Sequence, residues 1–241
     1  MFQFKHFALH HEQSSLKIGT DSVLLASYVP VAGIHNVLDI GCGCGVIGFC
    51  IADRLQQQHT DNYVITSIDI DGASIAECHR NATLFPKTEN AIFHFEEISL
   101  QDFTKLHQSE YQLIVCNPPY FGNSLKPEDE KRLQSRHRDN TLPFETLAEC
   151  VSKLLANDGL FYLILPYSEA AEFEQIASRR LHLCEKMEIW PVPDKPVNRC
   201  ILGFGRHPAE NIKRTTLTIR DNRRNYTPEY RELTHDFYLG F

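Results

Sequence analysis

The run Asn117-Pro118-Pro119-Tyr120 combines residue types suited to one reaction, alkylation of a planar amino nitrogen whose lone pair is delocalised. Such a nitrogen is a poor nucleophile. The Asn117 side-chain oxygen and the Pro118 main-chain oxygen can each accept one of its N–H groups, which draws the nitrogen toward tetrahedral geometry and localises its lone pair. Both acceptors are neutral, so neither would trap a cationic methyl donor in an ion pair. Proline fixes φ and helps hold that carbonyl, and Tyr120 and Phe121 offer ring faces on which an extruded base can stack. No strong base is needed at the outset, because the product cation sheds its proton readily, so in-line positioning carries most of the rate. Taken alone, Pro-Pro-Tyr would also satisfy a tight apolar turn.

The second chemical run lies upstream. Asp39-Ile40-Gly41-Cys42-Gly43-Cys44-Gly45 follows an apolar strand and opens a helix, the context in which glycines let a ligand approach backbone closely. Gly43 to Gly48 also fits the dinucleotide pattern G-x-G-x-x-G, with Asp69 ending the next strand, so the loop by itself permits either cofactor. Two features favour S-adenosylmethionine. The Asp39 carboxylate suits a ligand carrying amino and sulfonium cations and would repel a pyrophosphate, and a nicotinamide enzyme has no need of Asn-Pro-Pro-Tyr. Asp69 is then expected to accept hydrogen bonds from the ribose hydroxyls. Asp71 is expected to cap the following helix, and Glu97, with Glu96 as the alternative, to meet the adenine end of the cofactor.

These residues need a frame. Segments alternate between strand and helix from about Asn36 to Trp190, which implies a parallel sheet covered on both faces. Strands are expected at Asn36–Ile40, Tyr63–Asp69, Ala91–Phe95, Tyr111–Cys116, Leu160–Leu165, Cys184–Ile189, Cys200–Phe204 and Thr215–Ile219. Helices are expected at Val46–Gln57, Gly72–Leu84, Phe144–Ala156, closed by Asp158-Gly159, and Ser168–Leu181. Between Phe121 and Thr141 the sequence is polar and charge-dense, and a long loop at such a point is usually functional or mobile.

The chain has 241 residues, 42% apolar and 23% charged, the balance of a globular protein built around one large core, and a single domain is expected. No apolar run reaches membrane-spanning length and the start lacks the order of a signal peptide, so a cytoplasmic protein is expected. The eight cysteines are scattered and read as reduced thiols; neither Cys42-x-Cys44 nor the twelve histidines show metal-ligand spacing, so no metal is assigned. The net charge of −7 is unevenly spread. From Lys195 on there are nine Lys/Arg and five Asp/Glu, a net +4, against 15 and 26, a net −11, before it. Clustered cations favour phosphate contact through counterion release, although solvated strand and loop charges would read the same.

The sequence resembles the family of tRNA1(Val) adenine-37 N6-methyltransferases, within the class I methyltransferases. The resemblance runs nearly end to end. It rests on Phe2-Gln3-Phe4-Lys5-His6-Phe7, on Lys17-Ile18-Gly19-Thr20-Asp21-Ser22-Val23-Leu24-Leu25, on Asn117 to Phe121, on Ser135-Arg136-His137, and on Tyr226-Thr227-Pro228-Glu229-Tyr230 with Leu233 and Asp236 to Leu239. It implies an α/β Rossmann-like fold with a mostly parallel seven-stranded sheet and helices on both faces. Residues 1–30 would form an N-terminal extension and cofactor-proximal helix, 31–190 the core, and 191–241 the C-terminal strands with the basic excess. It further implies Thr20 and Asp21 near the methionine part of S-adenosylmethionine, with Asp39, Gly41, Gly43 and Gly45 around it. Asp69 would hold the ribose, Asn117 would border both cofactor and target, and Asn117 to Tyr120 would hold the adenine of a tRNA.

Tyr120, Phe121, Arg136 and His137, with Arg138 beside them, are candidates for contact with that substrate. Lys213, Arg214, Arg220, Arg223 and Arg224 could steer it, although cations also line strand edges to prevent aggregation. The two loop cysteines stand where small residues, often threonine, are expected. Other readings stay open: methylation of a protein glutamine amide, for which the same motif serves, methylation of DNA adenine, or a non-catalytic RNA-binding protein with a vestigial cofactor fold. The oligomeric state is not legible, with a monomer favoured.

Overall fold

The computed structural model describes residues 1–14, 17–86, 88–89, 91–107, 110–118 and 142–240. In chain order the elements are β1 (Phe2–Gln3), β2 (Ala8–Leu9), α1 (Thr20–Tyr28), β3 (Asn36–Ile40), α2 (Val46–Gln57), β4 (Tyr63–Asp69), α3 (Gly72–Leu84), β5 (Ala91–Glu97) and α4 (Leu100–Leu106). They continue with β6 (Tyr111–Cys116), α5 (Phe144–Leu154), β7 (Leu155–Pro166), α6 (Tyr167–Ala177), β8 (His182–Trp190), β9 (Arg199–Gly205), β10 (Lys213–Thr218) and α7 (Pro228–Thr234).

The central sheet has the order β10-β8-β9-β7-β6-β3-β4-β5. Strands β3 to β7 pair in parallel, while β9 runs antiparallel to both β7 and β8. Seven strands form the expected Rossmann-like sheet, and β10 joins as an eighth, parallel to β8 at the edge. Its exposed Lys213 and Arg214 suit an edge position. A separate antiparallel hairpin, β1–β2, was not expected from the sequence.

Alternation along the strands sorts side chains between two layers. Val37, Leu113, Val115, Tyr162 and Ile164 face the layer containing α1, α2 and α7, whereas Leu38, Ile114, Cys116, Phe161 and Leu163 face α4, α5 and α6. Both layers are densely aromatic: Phe49, Phe161, Phe173 and Phe204 are at most 1% exposed. Each such burial contributes roughly 1.5–3 kcal/mol.

Two boundaries moved. The helix expected to reach Ala156 stops at Leu154 and β7 begins at once. Asp158-Gly159 therefore lies within the irregular start of β7, where pairing jumps from Tyr111↔Leu155 to Leu113↔Leu160. A Cβ on Gly159 would stand 2.7 Å from the Tyr111 carbonyl oxygen, so the close backbone approach at this bulge requires glycine. Helices α4 and α7 were not expected, yet both carry clear starts. Ser99 Oγ accepts from the Asp102 N–H at 3.1 Å, and Thr227 Oγ1 accepts from the Tyr230 N–H at 3.2 Å with Pro228 in the first turn.

The carboxyl edge of the parallel strands carries Asp69 at the end of β4, Glu97 at the end of β5 and Asn117 just after β6. Ligands of open α/β sheets bind along that edge.

Candidate active site

The glycine loop leaves β3 in a conformation that side chains resist. Gly41, Gly43 and Gly45 have φ of 67°, 54° and 82°, all left-handed. Gly43 is backed by Ser14 and Gly45 by the Phe49 ring, but a Cβ on Gly41 would meet nothing within 4 Å. The open face of the loop is therefore at Gly41. Gly48, the last glycine of the run, lets α2 settle on the sheet, since a Cβ there would stand 3.0 Å from Ile65 Cγ2.

Asp39 lies beneath this loop rather than on its open face. It has no exposed surface; Oδ2 accepts from the Gly48 N–H at 3.1 Å, while Oδ1 and the nearby Ser67 Oγ are buried without a hydrogen-bond partner among the described residues. Burial pushes its carboxyl up to about 7, the Gly48 N–H opposing this and the charge of Asp69 adding to it. An unpaired buried carboxylate oxygen under the loop suits a cationic ligand above it.

Asp69, at the end of β4, braces the loop from the side. Its Oδ2 accepts from the Gly43 N–H at 2.9 Å and its Oδ1 from the Asp71 N–H at 3.0 Å. Each oxygen keeps a second lone pair for another donor. Asp71 caps α3 through the Ala73 N–H, as expected. Glu97 pairs in register with Asp69, and its carboxylate lies so close to Gly72 that a Cβ there would be 2.5 Å from Oε2. Glu96 instead meets His107 at 3.2 Å, which leaves Glu97 as the acidic neighbour of Asp69.

Three residues that sequence reasoning missed close the back of the loop. Asn81 Nδ2 donates to the carbonyls of Cys44 and His10, both at 3.0 Å, while Oδ1 accepts from the His10 N–H at 2.8 Å. Glu77 accepts from the N–H groups of Gln13 and Ser14 at 3.1 and 2.9 Å. Both side chains are buried on α3 and strap the N-terminal segment across the loop. Two polar residues four apart on an otherwise buried helical face were the legible signal. Cys78 is the third, donating to the Gly43 carbonyl at 3.2 Å with its sulfur 3.8 Å from that of Cys42. Burial pushes the Cys44 thiol up to about 12, so it is an inert packing group. Among the described residues no three His, Cys, Asp or Glu side chains group to hold a metal ion.

Asn117 leaves the sheet beside the glycine loop, because Cys116 pairs in register with Ile40. Its Nδ2 donates to Ser22 Oγ in the first turn of α1 at 2.9 Å. Thr20 and Asp21 precede Ser22, and Asp21 Oδ2 accepts from Arg199 Nε of β9 at 2.8 Å. Ser22 and Arg199 were not singled out by the sequence. Pro118 is buried. Pro119, Tyr120, Phe121, Arg136, His137 and Arg138 lie outside the described residues.

Comparison with known proteins places the fold and the family. Residues 11–130 match the family model of the Methyltransferase small domain. The fold is similar to a predicted O-methyltransferase from Agrobacterium tumefaciens (TM-score 0.65, 18% identity, 90% of this chain and 96% of that one). It is also similar to a type I restriction-modification methyltransferase subunit from Streptococcus thermophilus (TM-score 0.60, 11% identity, 92% of this chain and 52% of that one). Fold and site together define a class I S-adenosylmethionine-dependent methyltransferase. In sequence the chain is 34% identical over its full length to the tRNA1(Val) (adenine(37)-N6)-methyltransferase of Yersinia pseudotuberculosis, covering 92% of that protein. A second relative of the same name, from Yersinia pestis, is also 34% identical, with 94% of it covered. The chain belongs to the tRNA1(Val) (adenine(37)-N6)-methyltransferase family.

Proposed function

We propose that this chain methylates N6 of adenine 37 in tRNA1(Val). The observation that carries the reading is the Ile40↔Cys116 register, which sets Asn117 and Pro118 beside the open side of the glycine loop. S-adenosylmethionine supplies a methyl group made electrophilic by its sulfonium. The loop glycines 41–45 would hold its methionine end above Asp39, with Thr20 and Asp21 bordering that end, while Asp69 and Glu97 would take the ribose hydroxyls and the adenine edge. Asn117 Oδ1 and the Pro118 carbonyl would each accept one N–H of the target amino group and turn its lone pair toward the methyl. The Nδ2–Ser22 hydrogen bond turns the NH2 end of the amide toward α1, an orientation consistent with Oδ1 as the acceptor. Tyr120 and Phe121 would stack the flipped base, and Arg136 and His137 would meet the adjoining phosphates. In this reading the chain acts as a single methyltransferase domain, a monomer in the cytoplasm.

Nucleoside mass spectrometry after incubation with labelled cofactor tests the proposal. N6-methyladenosine at position 37 of tRNA1(Val) is expected. Label appearing only in a protein acceptor, or none in RNA, would overturn it.

A further inference from the structure

Beyond Asn117, on the side away from the glycine loop, the same sheet edge carries a second concavity. A cavity of about 690 Å³ is lined by the start of α1, the loop after β8, the first residue of β9 and the residues following β10. That volume suits a ligand the size of a nucleotide. The strand order puts β9 and β8 two and three strands from β6, on the order of 10–15 Å from Asn117 at the usual strand spacing.

Its charges are sorted. Asp21 and Arg199 neutralise each other, and Arg199 also donates to the Asn198 carbonyl and side-chain oxygens at 3.1 and 2.9 Å. The cations left over are Arg220 and Arg224, for among the described residues neither guanidinium pairs with a carboxylate. The Arg220 side chain and the Arg224 backbone are held in place. Arg220 lies 3.8 Å over the Tyr226 ring, whose other neighbour is the stacked Tyr230 ring at 4.9 Å, and donates to the Arg224 carbonyl at 2.7 Å. Arg224 itself sits at φ 68°, a conformation that costs a non-glycine residue free energy. The Asp221 carboxylate secures this turn by accepting from the N–H groups of Arg223 and Asn225 at 2.9 and 2.8 Å. Ile189, Val192 and Ile219 add apolar surface to the lining. A net positive pocket with apolar surface in its lining, on the substrate half of the edge, matches a sugar–phosphate unit of single-stranded RNA.

We propose that this pocket binds the phosphodiester of a nucleotide near the methylated adenine, with Arg220 and Arg224 as the anion contacts; the assignment rests on the tRNA reading above. Steady-state methylation of tRNA1(Val) transcript tests it with Arg224→Gly, Arg220→Ala and, as a control in the last turn of α5, Lys153→Ala. Glycine adopts φ 68° freely, so Arg224→Gly removes the guanidinium and relieves the strain together. The expected result is a KM for tRNA raised about tenfold by each arginine variant, with kcat and calorimetric cofactor affinity near wild type. The slope of log KM against log salt should fall by about 1, and Lys153→Ala should change none of these. Unchanged KM and salt slope in both arginine variants of an enzyme that methylates tRNA would overturn the pocket assignment alone. Failure of the wild type to methylate tRNA would overturn the underlying reading and this assignment with it.

Discussion

Ser22 Oγ accepts a hydrogen bond from Asn117 Nδ2 at 2.9 Å, and this contact turns the NH2 end of the Asn117 amide toward α1. With the NH2 end turned to α1, the oxygen is the end proposed to accept from an amino group entering the slot. The reverse orientation would set an NH2 group against another NH2 group, donor against donor.

Ser22→Ala is therefore expected to slow methyl transfer about tenfold, the equivalent of one ordinary hydrogen bond, while calorimetric cofactor affinity stays near wild type. Ser22→Thr keeps the hydroxyl and should restore most of the rate. Equal losses in the alanine and threonine variants under single-turnover conditions would mean that packing of α1, not the hydroxyl, is what matters.

For Asn117→Ala the expectation is steeper, at least about a hundredfold loss in methyl transfer with little change in cofactor binding, because an acceptor that acts in the transition state is gone. Turnover within a few-fold of wild type would remove Asn117 from the mechanism.

Asp39 makes a pH-dependent prediction. Burial raises its folded pKa from 3.8 to about 7, so its contribution to stability is full below the unfolded value and is lost as pH rises through 7. Between those values the unliganded wild type should lose up to roughly 1.4 kcal/mol per pH unit relative to Asp39→Asn. Cofactor affinity should run the other way, tightening as pH rises toward 7, since a cationic ligand favours the ionised carboxylate. Urea unfolding and calorimetry at pH 5 and 8 would measure both, and identical pH profiles for the two proteins would refute the assignment.

The loop glycines should separate by function. Gly45→Ala meets both a left-handed φ and the Phe49 ring at 2.8 Å, whereas Gly41→Ala meets the φ alone. A larger fall in Tm is expected for Gly45→Ala. Gly41→Ala should lose cofactor affinity in excess of its smaller loss of stability, since its Cβ would enter the open face. Wild-type affinity in folded Gly41→Ala would mean the ligand approaches elsewhere.

Local chemistry wrote most of the frame. Short apolar runs marked all eight strands of the central sheet, and glycine, proline and aspartate marked the turns between them. The starts of α4 and α7 were also written locally, as Ser99 with Asp102 and as Thr227-Pro228, but runs of seven residues are too short for helical periodicity to stand out. The 2.5 Å approach of a Gly72 Cβ to Glu97, which sets Glu97 beside Asp69, depended on strand register and not on neighbouring sequence.

What the sequence determined by itself was the fold class, the glycine loop and the Asn117-Pro118 turn that follows β6, because each is carried by residues within a few positions of one another. Tertiary structure alone decided that Ser22 orients Asn117 across 95 residues, that Arg199 neutralises Asp21 across 178, and that Glu77 and Asn81 tie the N-terminal segment over the loop. Hydrogen bonds act over about 3 Å, and no local pattern says which distant segments the sheet order will bring within that reach.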